Sequence, residues 1–254
     1  MNLTERGKHR IRAAAVHLVL SALIAIGVGI ITLALWYPGR LGAIAGGRQL
    51  FWLVVGVDVV IGPLITLVVF DTRKPRRELA RDLTIVGVLQ LVALGYGLNT
   101  AFEARPVAVV FEVDSFRVVP ANAVRVEELS TAPPEYQKLP LSGPWLLGVR
   151  ASSSGAERLA SLDLALKGFD IGQRPSYWQP YARSRAAAVA RARPMDILMQ
   201  HHAGRKGELE AILAELHVAP ADARFLPLNA RGDGVVILGG SGDVLGYAPF
   251  DGYF

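Results

Sequence analysis

Three long apolar stretches dominate the first hundred residues, and their pattern is that of helices that cross a bilayer. Segments 13–36, 50–70 and 83–102 each supply about 20 mostly apolar residues, the length a membrane-spanning helix needs. Pro38-Gly39 ends the first, and Pro75 opens a turn of helix leading into the third. The middle stretch, LFWLVVGVDVVIGPLITLVVF, departs from an all-apolar span twice: Asp58 lies near its centre, and Gly62-Pro63 reads as a break in the helix. Gly87, Gly95 and Gly97 in the third are small residues of the kind that let membrane helices approach closely.

Beyond Arg105 the period changes. β-Branched residues fill 106–113, and 115–119 alternates behind them, which predicts a hairpin turning at Val113-Asp114-Ser115. A further strand is predicted at 144–151. Leu159, Leu162 and Leu166 recur at helical spacing in 157–168, ending on Gly168; Leu209, Ile212, Leu213 and Leu216 do so in 206–218. FLPL, GVVIL and DVLGYAPF predict three closing strands, the last two joined by a turn at 239–242. The expected fold is an α-helical membrane protein with three transmembrane helices (residues 1–103), followed by an α+β extramembrane domain (104–254). That domain is expected to be one mixed sheet with helices packed on it.

The charge distribution sharpens this picture. The chain of 254 residues carries 27 basic and 22 acidic side chains, a net +5. Of the basic residues, Arg6, Lys8, Arg10 and Arg12 precede the first span and Arg73, Lys74, Arg76, Arg77 and Arg81 lie between the second and third. The loop 37–49 holds only Arg40 and Arg48, and the segment from 103 onward is close to neutral. The surplus therefore sits beside the membrane, as the positive-inside rule expects. The rule places the N-terminus and loop 71–82 inside, with loop 37–49 and the large domain outside. Nucleic acid is not an expected partner. The first span is expected to be an uncleaved anchor, because it exceeds a signal-peptide core and ends in the interfacial pair Trp36-Tyr37.

Asp58 is the foremost candidate site, since a carboxyl within a span is costly and marks function by default. At 1.5 Å per residue Asp58 lies about 18 Å from Phe70, and Tyr96 lies about 20 Å from Leu83 on the antiparallel third helix. The expectation is a hydrogen bond between them, with Gly27 and Gly95 allowing close approach; His17 and Gln90 fall at poorer depths. Fastening of the bundle, recognition of a partner helix and proton or solute transfer all remain open roles for Asp58. A single intramembrane carboxyl does not suit aspartyl proteolysis, which shares a proton between two. The chain has no cysteine, no His-Glu-x-x-His, no Gly-x-Ser-x-Gly and no phosphate-binding glycine loop followed by Lys-Ser/Thr. No metal, cofactor or catalytic residue is expected. Arg231-Gly232-Asp233 reads as a turn. The rigid segment Arg174-Pro175-Ser176-Tyr177-Trp178-Gln179-Pro180-Tyr181 suits either packing over the sheet or a partner surface.

The chain resembles the TfpX/TfpZ family of type IV pilin accessory proteins. The matching residues are Trp36-Tyr37-Pro38, Gly56-Val57-Asp58, Gly62 to Phe70, Arg76 to Leu83, Gln90-Leu91, Tyr96-Gly97, Ala104 to Val107 and Phe111 to Val119. The resemblance implies a bacterial inner-membrane protein with a periplasmic C-terminal domain, which assists pilin stability, assembly or fibre dynamics and has no catalytic residues. A type IV pilin is the expected partner, met by the spans through Asp58, Tyr96, Gly62 and Pro63 and by the outer domain through Tyr177, Trp178 and Tyr181. A small proton-coupled transporter built on Asp58 and a membrane-anchored periplasmic ligand sensor are the alternatives.

Overall fold

The structure, a computed structural model, describes the backbone of residues 3–254 and the side chains of residues 7–254; the Arg6 side chain of the basic start lies outside these. The chain divides into two compact units: Met1–Leu35 with Gly47–Glu103, and Trp36–Gly46 with Ala104–Phe254.

The first unit holds three helices long and apolar enough to cross a membrane, spanning Gly7–Trp36, Gly47–Val69 and Arg76–Glu103. α1 (Leu3–Gly29) continues as a π-helix over Ile30–Trp36. The middle helix comprises α3 (Gly47–Gly56), a π-helical turn at Val57–Ile61 and α4 (Gly62–Val69), and α5 (Arg76–Glu103) is the third. The first and third helices pack mainly on the middle one. Gly62-Pro63, expected to break the middle helix, does not interrupt it. An α-helical proline clashes with the carbonyl four residues back, and the wider π-turn just before Pro63 absorbs that misfit.

The second unit contains a mixed sheet in the order β4-β3-β1-β2-β6-β7-β8, with β5 (Arg193–Pro194) paired to β6. β1 (Pro106–Phe111) and β2 (Phe116–Pro120) form the expected antiparallel hairpin. β3 (Trp145–Val149) lies parallel to β1, and β4 (Trp178–Pro180) closes that edge. β6 (Arg224–Asn229) runs parallel to β2, and β7 (Val235–Leu238) and β8 (Val244–Ala248) follow as a meander. Alternation along the strands loads both faces. Val109, Phe111, Phe116, Val118, Leu226 and Val236 meet Ala188 of α7 (Arg185–Arg191) on one face. On the other, Phe225 and Ile237 lie under α8 (Met195–His201) and α9 (Lys206–Glu215), while Val110 and Leu147 pack with Tyr136 and Trp178.

The short helix α2 (Gly39–Ile44) belongs to this second unit, although the sequence pattern grouped the 37–49 connection with the membrane half. Its Leu41 and Ile44 are buried in the same core cluster as Phe116 and Leu228. The Arg231-Gly232-Asp233 turn receives it: the Gly232 amide donates to the Ile44 carbonyl at 3.0 Å. Gly46 leaves the insert at φ 86°, a left-handed conformation open to glycine.

Candidate functional site

Asp58 occupies the π-turn and is 6% exposed. In a π-helix its carbonyl would bond the amide five residues on, but that residue is Pro63, which has no N–H. Gln90 supplies the donor instead: its Nε2 reaches the Asp58 carbonyl oxygen at 3.3 Å. Gly62 makes the approach possible, because a Cβ there would stand 2.0 Å from the Gln90 amide nitrogen. The side chain of Asp58 fares differently. Its Oδ1 is buried with no hydrogen-bond partner among the described residues. What is fastened at this depth is therefore the Asp58 main chain, and the carboxyl itself is left over. His17, close enough to act electrostatically on Asp58, hydrogen-bonds through Nδ1 to Thr66 Oγ1 at 2.5 Å.

This arrangement corrects the expected Asp58–Tyr96 pair. Tyr96 is 76% exposed and lines a crevice with Val54, Val57 and Gly97. The error lies in the helix starts. Counted from Arg76, Gln90 is about 21 Å along its helix, and counted from Gly7, His17 is about 15 Å along the first, against about 17 Å between Asp58 and Val69. The two residues set aside at the sequence level are thus the ones at matching depth. Gly27 and Gly95 face open space, whereas Gly29 packs on Phe51 and Gly97 on Val54.

The three aromatic side chains of segment 174–181 pack within the domain, while Ser176, Gln179 and Pro180 are half-buried. Tyr177, Trp178 and Tyr181 are all buried, Trp178 Nε1 donates to the Gly172 carbonyl at 2.8 Å, and the Tyr181 hydroxyl donates to the Gly242 carbonyl at 2.7 Å. Burial pushes the Tyr181 phenol up to about 12. The guanidinium groups of Arg150 and Arg174 stand 4.4 and 4.7 Å from the Tyr177 ring centroid.

These same groups hold α6 (Gly155–Leu166) in an inverted orientation. Ser154 caps it, accepting from the Glu157 amide at 3.1 Å, and Gly168 ends it at φ 89°. Its inward side is largely polar: Glu157 accepts from Arg150 Nη2 at 2.7 Å, and Ser161 Oγ meets the Tyr177 hydroxyl at 2.7 Å and Arg174 Nη1 at 2.9 Å. The hydrogen bond from Arg150 is the main cause holding the Glu157 carboxyl well below its ordinary range. The leucines predicted at helical spacing face out, with Leu159 70%, Leu162 58% and Leu166 82% exposed. α6 sits at the end of the sheet opposite Pro106, since Gly172 donates to Glu112 at 3.0 Å and Arg117 bridges Glu112 and Asp170.

The profile of the family described as fimbrial assembly protein FimB matches residues 5–46, which cover the first span and the α2 insert. Two fimbrial assembly proteins of Dichelobacter nodosus, of serogroups E1 and I, are each 33% identical over 230 residues, or 89% of this chain and 90% of theirs. The chain belongs to the fimbrial assembly protein family. A third member, of serogroups C1 and C2 of the same organism, is 35% identical over 121 residues, 48% of this chain and 92% of its own. No solved structure matches. The relationship to the two longer family members spans both units, so the membrane helices and the sheet domain are shared together.

Proposed function

We propose that this chain is a non-enzymatic accessory of type IV fimbrial biogenesis, akin to the TfpX/TfpZ proteins, which holds the fimbrial subunit at the inner membrane before assembly. The observation that carries the partner is the outward leucine face of α6. An amphipathic helix normally buries its apolar stripe; this one is tied down by its polar side and leaves Leu159, Leu162 and Leu166 to solvent. A contiguous exposed apolar patch marks an interaction site. The subunit's globular head is the occupant we assign to it, and the exposed apolar flanks of the three spans, including the Tyr96 crevice, are where the subunit's membrane helix lies.

The basic surplus argues for a cytoplasmic N-terminus and loop 71–82. That Trp36–Gly46 and Ala104–Phe254 form one compact unit supports a reading in which the first connection and the large domain lie on the same side, which we assign to the periplasm. Deletion of the gene, with surface fimbriae counted and membrane-held subunit measured, tests the role. The expected result is loss of both, restored by the wild type and not by a Leu159→Ser, Leu162→Ser, Leu166→Ser variant that folds normally. Full fimbriation from that variant would remove α6 from the interface.

A further inference from the structure

At the end of the bundle that holds the basic loop, residues of α1, α4 and α5 bound a cleft of about 590 Å³. Its body is apolar, formed by Ala13, Val16 and Leu20 of α1, Phe70 after α4, and Leu83 and Gly87 of α5. Its mouth is cationic. His9 and Arg12 line it from the same stripe of α1 as Ala13, Val16 and Leu20, and no carboxylate among the described residues lines it. Of the acids nearby, Asp71 pairs with Arg10 and Arg73 and Asp82 with Lys74 and Arg81, while Glu78 of α5 stands among Arg76, Arg77 and Arg81 without an ion pair among the described residues. Arg12, Arg76 and Arg77 have no ion pair among the described residues. The uncompensated charge of this end therefore gathers at the cleft and on the loop beside it.

We propose that the cleft is a site for one anionic phospholipid, with the phosphate on Arg12 and His9 and an acyl chain along Val16, Leu20, Leu83 and Gly87. The His17–Thr66 pair, about 7.5 Å further along α1 than Arg12, is the polar feature beyond the mouth and lies level with the ester oxygens. The order along the cleft (cation, then a polar pair, within an apolar wall) is the order of groups in a phospholipid, and basic pockets between membrane helices recognise acidic headgroups in this way. The volume of the cleft falls in the range of small-ligand sites.

The full-length chain in neutral detergent, titrated separately with phosphatidylglycerol, phosphatidylcholine and inorganic phosphate, tests the assignment by native mass spectrometry and thermal unfolding. Phosphatidylglycerol should persist as a one-to-one adduct and raise Tm, while phosphatidylcholine and phosphate should do neither. Arg12→Ala should weaken the adduct about fivefold, the effect of one cation at an acidic lipid surface, and His9→Ala should weaken it by removing a hydrogen-bonding group from the mouth. Gly87→Leu is the second arm: nothing stands within 4 Å of a Cβ there, so the side chain projects into the cleft that Gly87 lines without a clash at its Cβ. It should abolish the adduct with Tm in lipid-free detergent unchanged. Equal binding of phosphatidylcholine, indifference of the adduct to all three variants, or a full effect from phosphate alone would each overturn the site.

Discussion

Ile44 provides the sharpest test of the architecture, because its burial depends on an eleven-residue connection between two membrane helices being part of a distant sheet domain. Ile44 and Leu41 are each 4% exposed within the core that contains Phe116, Leu226 and Leu228. Truncating a buried Ile or Leu to Ala costs about 2–5 kcal/mol, the sum of lost transfer and residual cavity. For a unit of this size one kcal/mol moves Tm by about 2–4 °C, so Ile44→Ala should lower Tm by about 7–14 °C at the middle of that range. The assay is thermal unfolding of the full chain in detergent, followed by tryptophan fluorescence, since Trp145 and Trp178 lie in the affected unit. Arg40→Ala, which removes only the exposed contact with Glu215, is the control and should leave Tm within scatter. Gly42→Ala should be at least as damaging as Ile44→Ala, since its Cβ would stand 2.0 Å from the Tyr37 carbonyl oxygen. An Ile44→Ala protein that melts within 1 °C of wild type would refute the insertion of α2 into the domain.

Three other outcomes follow from the same geometry. Asp58→Leu should leave thermal stability unchanged or raised, because removing a buried carboxyl whose Oδ1 has no hydrogen-bond partner among the described residues relieves a desolvation cost of about 1–3 kcal/mol; a clear fall in Tm would show that the carboxyl fastens the bundle. Fimbriation should nevertheless drop in that variant, the signature of a costly group kept for function. Trp178→Phe leaves the Gly172 carbonyl without its donor and should cost about 1–3 kcal/mol in unfolding experiments. Alkaline pH should destabilise the sheet unit: Tyr37, Tyr181 and Tyr247 are raised by burial from 10.0 to about 12, so the fold retains their protons where the unfolded chain releases them. Stability is full below pH 10 and declines as pH rises from 10 towards 12, and a flat melting curve over pH 9–11 would contradict this.

Elements with a strong period were legible. The three spans, the 106–120 hairpin and the 206–218 helix follow from runs of apolar or β-branched residues long enough to dominate their windows. What failed was depth and facing. The third helix starts at Arg76 because charged residues extend a membrane helix beyond its greasy segment, and that seven-residue offset alone moved Gln90 level with Asp58. The π-turn was invisible, since Gly62-Pro63 signals a break and only packing decides whether the helix widens instead. Periodicity at Leu159, Leu162 and Leu166 fixed a helix without fixing which side faces the core; there the polar partners Arg150, Tyr177 and Arg174 won the inner face. The aromatic segment 174–181 offered packing or a partner surface at the sequence level, and the burial of Tyr177, Trp178 and Tyr181 shows the packing. α2 was missed because six residues between two spans carry too little pattern to announce a core contact.

The most direct test of the central claim is photo-crosslinking from position 162 in cells that assemble fimbriae, using a photoreactive amino acid in place of Leu162. The account predicts an adduct between this chain and the fimbrial subunit, formed on the periplasmic side and absent when the probe is moved to the buried inner face at Leu213. Crosslinking of Leu162 to cytoplasmic proteins, or its failure to reach the subunit while fimbriae form normally, would contradict it.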